Sequence, residues 1–83
     1  MTYRVEFGAG GQVYFHTLPR HAREALIERA VELADKPWDA DYRAPDPDSR
    51  FRETAFGAGR GLIGFYVDEA AQVIRIFDII WIG

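Results

Sequence analysis

The sequence predicts a small α+β domain in which two N-terminal helices lie on one face of an antiparallel, mixed-edge, four-stranded sheet, in the order β-α-α-β-β-β. Three observations predict it. From Arg50 to Gly83 the chain alternates apolar runs rich in β-branched and aromatic residues (RFRETAF, LIGFYV, VIRIFDIIWIG) with short breaks (GAGRG, DEAAQ), the pattern of an antiparallel meander. From Pro19 to Lys36 apolar residues recur every three or four positions. From Thr2 to Phe7 polar and apolar residues alternate, with Tyr3, Val5 and Phe7 on one face.

Each element follows from its neighbours. Gly8, Gly10 and Gly11 end the first strand, and QVYFHT at 12–17 has room for a short helical piece. Pro19 suits a helix start, where its missing N–H costs nothing, and Thr17 is the expected cap. Within the long helix Ala22, Ala25, Leu26, Ala30, Leu33 and Ala34 form a core-facing stripe, and Arg20 and Glu24 pair one turn apart on the wet side. Ile27 and Val31 widen the apolar arc, which predicts contact with the second helix as well as the sheet. Pro37 stops the helix, and WDADYRAPDPDS at 38–49 reads as an acidic loop that Pro45 and Pro47 keep out of regular pairing, anchored by Trp38 and Tyr42.

At 83 residues the chain makes one domain, 1–83, which buries roughly 60–65% of the surface of its unfolded form. It contains no cysteine, so neither a disulfide framework nor a thiolate metal site is expected, and a reducing, cytoplasmic setting is the default. Apolar stretches broken by Arg75 and Asp78 are too short for a membrane span. A net charge of −3 argues against a whole-surface grip on nucleic acid, yet the strand arginines Arg50, Arg52, Arg60 and Arg75 allow a locally basic face. GAGG and GAGRG lack the strand–helix context of a phosphate cradle and read as turns.

The pieces YRVEF, LPRHAREALIERAVELADKP, FRE at 51–53, GRGLIGFYVDE and VIRIFDIIWIG come in an order that resembles the RelE/ParE superfamily of bacterial toxins from type II toxin–antitoxin modules. The resemblance implies a twisted sheet flanked by helices, no cofactor and no metal. It implies an antitoxin as protein partner and one of two activities: metal-independent cleavage of mRNA on the ribosome, or inhibition of DNA gyrase. An inert interaction domain of the same fold is the third reading.

Cleavage without a metal needs a base for the 2′-OH, cations for the phosphorane and an acid for the leaving oxygen. Arginine suits the second role because its planar fork stays charged and grips two phosphate oxygens. On the resemblance, Arg52, Glu53, Arg60 and Arg75 are the candidate catalytic residues. Arg50, Phe77 and Trp81 are the candidate residues for RNA or a partner. Glu53 could serve as a base, or could pair with a neighbouring arginine across the sheet. Arg60 stands one or two positions away from the arginine the family places at the start of its third strand, and reads equally as a solvated turn residue.

Strict alternation puts Arg75 with Val73, Phe77, Ile79 and Trp81 on the open face of the last strand, and Asp78 with Ile74, Ile76, Ile80 and Ile82 on the other. An antitoxin laid along the open face would then cover Phe77, Ile79 and Trp81. His16 and His21 read as surface or helix-packing residues. Nucleases of the family carry their last catalytic groups just past the glycine matching Gly83, so the resemblance implies weakened cleavage by residues 1–83, a missing acid or base costing roughly 10²- to 10⁴-fold in rate.

Overall fold

A computed structural model describes residues 2–8, 10–39, 41–42 and 50–83. Strand β1 (Arg4–Phe7) leads into helices α1 (Gly11–Thr17) and α2 (Arg20–Asp35) and a 3-10 turn at Pro37–Asp39. Strands β2 (Asp41–Tyr42), β3 (Phe51–Phe56), β4 (Gly61–Asp68) and β5 (Val73–Trp81) follow. All four predicted strands and both helices are present, and the two-residue β2 adds a fifth strand at one edge, giving the order β1-β5-β4-β3-β2. β1 runs parallel to β5 and every other pairing is antiparallel, so the mixed character is confined to one edge.

The long helix forms where its stripe predicted, burying Ala22, Leu26, Ala30, Leu33 and Ala34. Against it the sheet presents Phe56, Ile63, Phe65, Val67, Ile74, Ile76 and Ile79, joined by Leu18 from the helix–helix connection. Thr17 does not cap α2. Its hydroxyl donates back to the Tyr14 carbonyl at 2.7 Å, and Pro19 occupies the cap position with no side-chain bond. The reason is distance along the chain: two residues, Leu18 and Pro19, stand between Thr17 and the first turn of α2.

Gly11 starts α1 against the backbone of β5. A Cβ there would lie 2.2 Å from the Ile76 carbonyl oxygen, so only glycine lets the helix sit this close. Trp38 anchors the chain after α2 as expected: its indole N–H and the Tyr3 hydroxyl both donate to Oε1 of Glu69, at 2.9 and 2.8 Å. The expected anchor Tyr42 has its side chain outside the described residues, as do Pro45 and Pro47.

β5 departs from strict alternation. Asp78 pairs with Gly64 but Ile76 pairs with Phe65, which leaves Phe77 as an extra residue in a β-bulge. An extra residue inverts the side-chain parity of everything after it. Ile74 and Ile76 face the helices before the bulge, and Ile79 and Trp81 face them after it. Asp78 and Ile80 therefore join Arg75 on the open face, which corrects the placement of Asp78, Ile79, Ile80 and Trp81 read from the sequence.

Candidate functional site

The registers define what the open face carries. β1 contributes Arg4 and Glu6, aligned with Val73 and Arg75 of β5. β4 contributes Leu62, Gly64, Tyr66 and Asp68, flanked by Ala55, Glu53 and Phe51 on one side and by Ile80, Asp78, Arg75 and Val73 on the other. The bulge turns the Phe77 ring to the same face, where it meets Phe51 edge-on with centroids 5.6 Å apart. Phe51 in turn meets Tyr66 at 4.9 Å, and the Arg50 guanidinium lies over the Tyr66 ring at 5.3 Å. Three half-buried rings, Phe51, Tyr66 and Phe77, thus form a floor across three adjacent strands.

Arg75 is on this face, as the sequence predicted, but its charge is committed within the chain. Its Nη1 lies 2.8 Å from Asp68 Oδ2, and its Nε lies 3.7 Å from Glu6 Oε1. The hydrogen bond from Arg75, reinforced by the backbone N–H of Ala71, holds the Asp68 carboxyl below the usual carboxylate range. The same bond with Asp68 raises the Arg75 guanidinium above its ordinary value.

Arg50 shares this face, over Tyr66, but Arg52 and Arg60 do not. Arg52 pairs with the fully buried Phe65, so it projects to the helix side, and there its guanidinium covers the Trp38 ring at 4.9 Å. Arg60 stands at the end of the β3–β4 turn, exposed. That turn holds three consecutive residues at positive φ, Gly57, Ala58 and Gly59, and is closed by the Arg60 N–H donating to the Gly57 carbonyl at 3.2 Å. Gly57 meets two demands at once, a left-handed backbone and the Trp81 ring 2.8 Å from where a Cβ would stand. The expectation of a face carrying all four strand arginines is therefore corrected: Arg75, within an ion-pair network, and Arg50, over Tyr66, share the open face, whereas Arg52 lies on the helix side and Arg60 closes a turn. Alternation and turn geometry separate residues that composition had grouped.

Trp81 belongs to the helix side. It stacks on Phe56 at 5.6 Å and takes the His21 ring edge-on at 5.6 Å. His21, expected to be a plain surface or packing residue, thus sits beside Trp81 at the end of the sheet where Arg60 also lies: a Cβ on Gly83 would touch both Arg60 and Trp81. Its position one helical turn before Ala25, which faces the same turn, was the available sequence pointer. Glu53 lies on the open face, and Asp78 stands across Gly64 from it.

A second apolar surface lies on the helix side. Ile27 and Val31 do not close against α1 but line a groove of about 390 Å³ with Val5, Phe7 and Phe15, remaining 52% and 67% exposed. No helix among the described residues is long and apolar enough to cross a membrane.

No protein-family model and no curated protein matches the chain in sequence. Solved structures do match in shape. The toxin–antitoxin complex RelBE2 of Mycobacterium tuberculosis aligns with TM-score 0.83 at 17% identity, over 98% of this chain and 99% of that one. The isolated RelE toxin of E. coli aligns with TM-score 0.82 at 16% identity, over 98% of this chain and 85% of that one. The archaeal RelE–RelB complex of Pyrococcus horikoshii aligns with TM-score 0.71 at 20% identity, over 100% of this chain and 98% of that one. At such identities the likeness establishes the fold, which is that of the RelE toxins, and leaves the chemistry to the residues of this chain.

Proposed function

We propose that this protein is the toxin component of a type II toxin–antitoxin pair, neutralised by a small protein partner. The observation that carries the reading is the end-to-end agreement of this fold with RelE chains, several of them in complexes with RelB antitoxins. The exposed apolar groove between α2 and β1 supports it, since a surface of Ile27, Val31 and Phe7 on a small domain is more readily explained by a partner than by solvent. The reading implies a bacterial cytoplasmic site of action.

Two activities are open to a toxin of this fold. Cleavage of mRNA on the ribosome calls for a cation free to meet phosphate, and Arg60 meets that need best: it is exposed, and among the described residues no carboxylate pairs with it. His21 at the same end would supply a proton-transfer group and Trp81 a surface for a base. Arg75 is less suited, because phosphate would have to displace Asp68 and Glu6. The second activity, inhibition of a protein target such as DNA gyrase, is favoured by the open face itself, where among the described residues the carboxylates Glu6, Glu53, Asp68 and Asp78 outnumber the guanidiniums of Arg4, Arg50 and Arg75.

Induced expression with and without the neighbouring reading frame tests the pair. Growth arrest relieved by the neighbour is the expected result, and a folded chain that is harmless when induced excludes a toxin. Primer extension then separates the activities. Transcript ends at ribosome-bound sites that vanish with Arg60→Ala identify the nuclease, whereas intact transcripts with gyrase-dependent DNA damage identify the protein inhibitor.

A further inference from the structure

We propose that the outer edge of β1 receives an extended segment of a partner protein, which lays apolar side chains in the groove against Ile27 and Val31 and brings a lysine or arginine to Glu28 and Asp35. The two-protein reading above is needed only to say who supplies the segment.

β1 is an edge strand, paired on one side with β5 and, among the described residues, with no strand on the other. Its Arg4 N–H donates to the Gln72 carbonyl at 2.9 Å and its Gly8 N–H to the Ile76 carbonyl at 2.7 Å, so these alternate residues turn their backbone toward β5. Val5 and Phe7 turn theirs outward. The same two side chains line the apolar groove with Ile27 and Val31 of α2. Whatever fills the groove therefore also covers the edge, and an occupant that leaves those amides and carbonyls unbonded in a dry contact weakens itself. An added strand bonds them and drops every second side chain into the groove.

Charge selects whose strand it is. Glu28 and Asp35 stand one turn to either side of Val31, both exposed, and neither has a hydrogen bond or ion pair among the described residues. Toward the start of α2 the groove side carries Arg20 and Arg23, the first of them already tied to Glu24 at 3.1 Å. A segment seated past Val31 takes water from the two free carboxylates, and a cation there restores what they lose. Lysine or arginine suits the place because the stem lies along Val31 while the charged head reaches out.

A second copy of this chain fits poorly. Antiparallel pairing of β1 with itself, with Val5 opposite Phe7, sets Glu6 against Glu6. The register that sets Arg4 against Glu6 needs the Tyr3 N–H, which the Ala34 carbonyl already holds at 2.8 Å.

The test is an amide-shift titration of the ¹⁵N-labelled protein with a nonapeptide that has lysine at both ends and valine and threonine alternating between them. Shifts are expected at Val5, Phe7, Ile27 and Val31. Affinity should fall about tenfold or more with Val31→Asp, and about fivefold with Glu28→Gln/Asp35→Asn or with glutamine in place of lysine. N-methylation should abolish binding in one alternate frame, valines or threonines, and spare it in the other, because one edge of an added strand faces β1. An Ala70→Gln control in the β4–β5 turn should bind as the native protein does. Absence of binding, shifts centred elsewhere, equal tolerance of methylation in both frames, indifference to the Glu28/Asp35 variant, or self-association of the chain through β1 would each overturn the proposal. Because no growth phenotype is involved, this result and the toxicity result can fail separately.

Discussion

The bulge at Phe77 decides which of two neighbouring isoleucines is core, and truncating each of them measures it. Ile79 is 7% exposed and belongs to the cluster around Leu26 and Ile63, whereas Ile80 is 49% exposed on the open face beside Leu62. Ile79→Ala removes buried carbon and leaves a cavity, a loss of about 3 kcal/mol. Ile80→Ala removes the same atoms from a half-wet position, where about half the transfer free energy applies, so that roughly 1 kcal/mol is lost. The difference of about 2 kcal/mol is a roughly 30-fold ratio in unfolding equilibrium constants, or a gap of about 8–16 °C in Tm for a domain of this size. Urea unfolding followed by far-UV circular dichroism reads it directly, as a shift in midpoint at unchanged slope. A regular strand without the bulge would reverse the order, placing Ile80 with Ile74 and Ile76. Losses equal within about 0.5 kcal/mol, or larger at Ile80, would refute the bulge and with it the composition assigned to both faces.

Three further outcomes are expected. Gly11→Ala, whose added methyl would press on the Ile76 carbonyl, should lower stability by about 1–3 kcal/mol in the same assay, since backbone cannot swing aside as a flexible side chain does. Asp68 has a carboxyl held below its usual range by Arg75, so the pair contributes stability at neutral pH that is lost as pH falls through the folded-state pKa of Asp68; Asp68→Asn should flatten the acid limb of a Tm-versus-pH curve between pH 5 and 2. Arg29→Ala should cost about 1–2 kcal/mol, because Nη2 and Nε of this part-buried arginine donate to the Thr54 hydroxyl at 2.8 and 3.3 Å and tie α2 to β3.

The elements were legible because their causes are local. The stripe from Ala22 to Ala34 dictates a helix with one buried side whatever lies beside it. The glycine-rich and acidic breaks around LIGFYV leave little but a meander, and even the mixed edge was readable. The candidate site was legible only as a list of residue types. Arg75 was rightly placed on the open face, but its ties to Asp68 and Glu6 come from three strands, two of them distant in sequence from each other. Arg52 and Glu53, adjacent in the chain, go to opposite surfaces because successive strand residues must. His21 meets Trp81 across 60 residues, a contact that no local pattern announces.

Periodicity alone was enough to specify two helices, a sheet and the apolar content of a core, because 3.6- and 2-residue repeats act within a few neighbours along the backbone. It could not specify the sign of the exposed face. That depended on one unpaired residue, Phe77, which inverts every later side chain of β5, removes Ile79 and Trp81 from the surface and delivers Asp78 to it. A bulge forms where two strands have to match each other in length and twist, so its position is a property of the paired sheet and not of either strand.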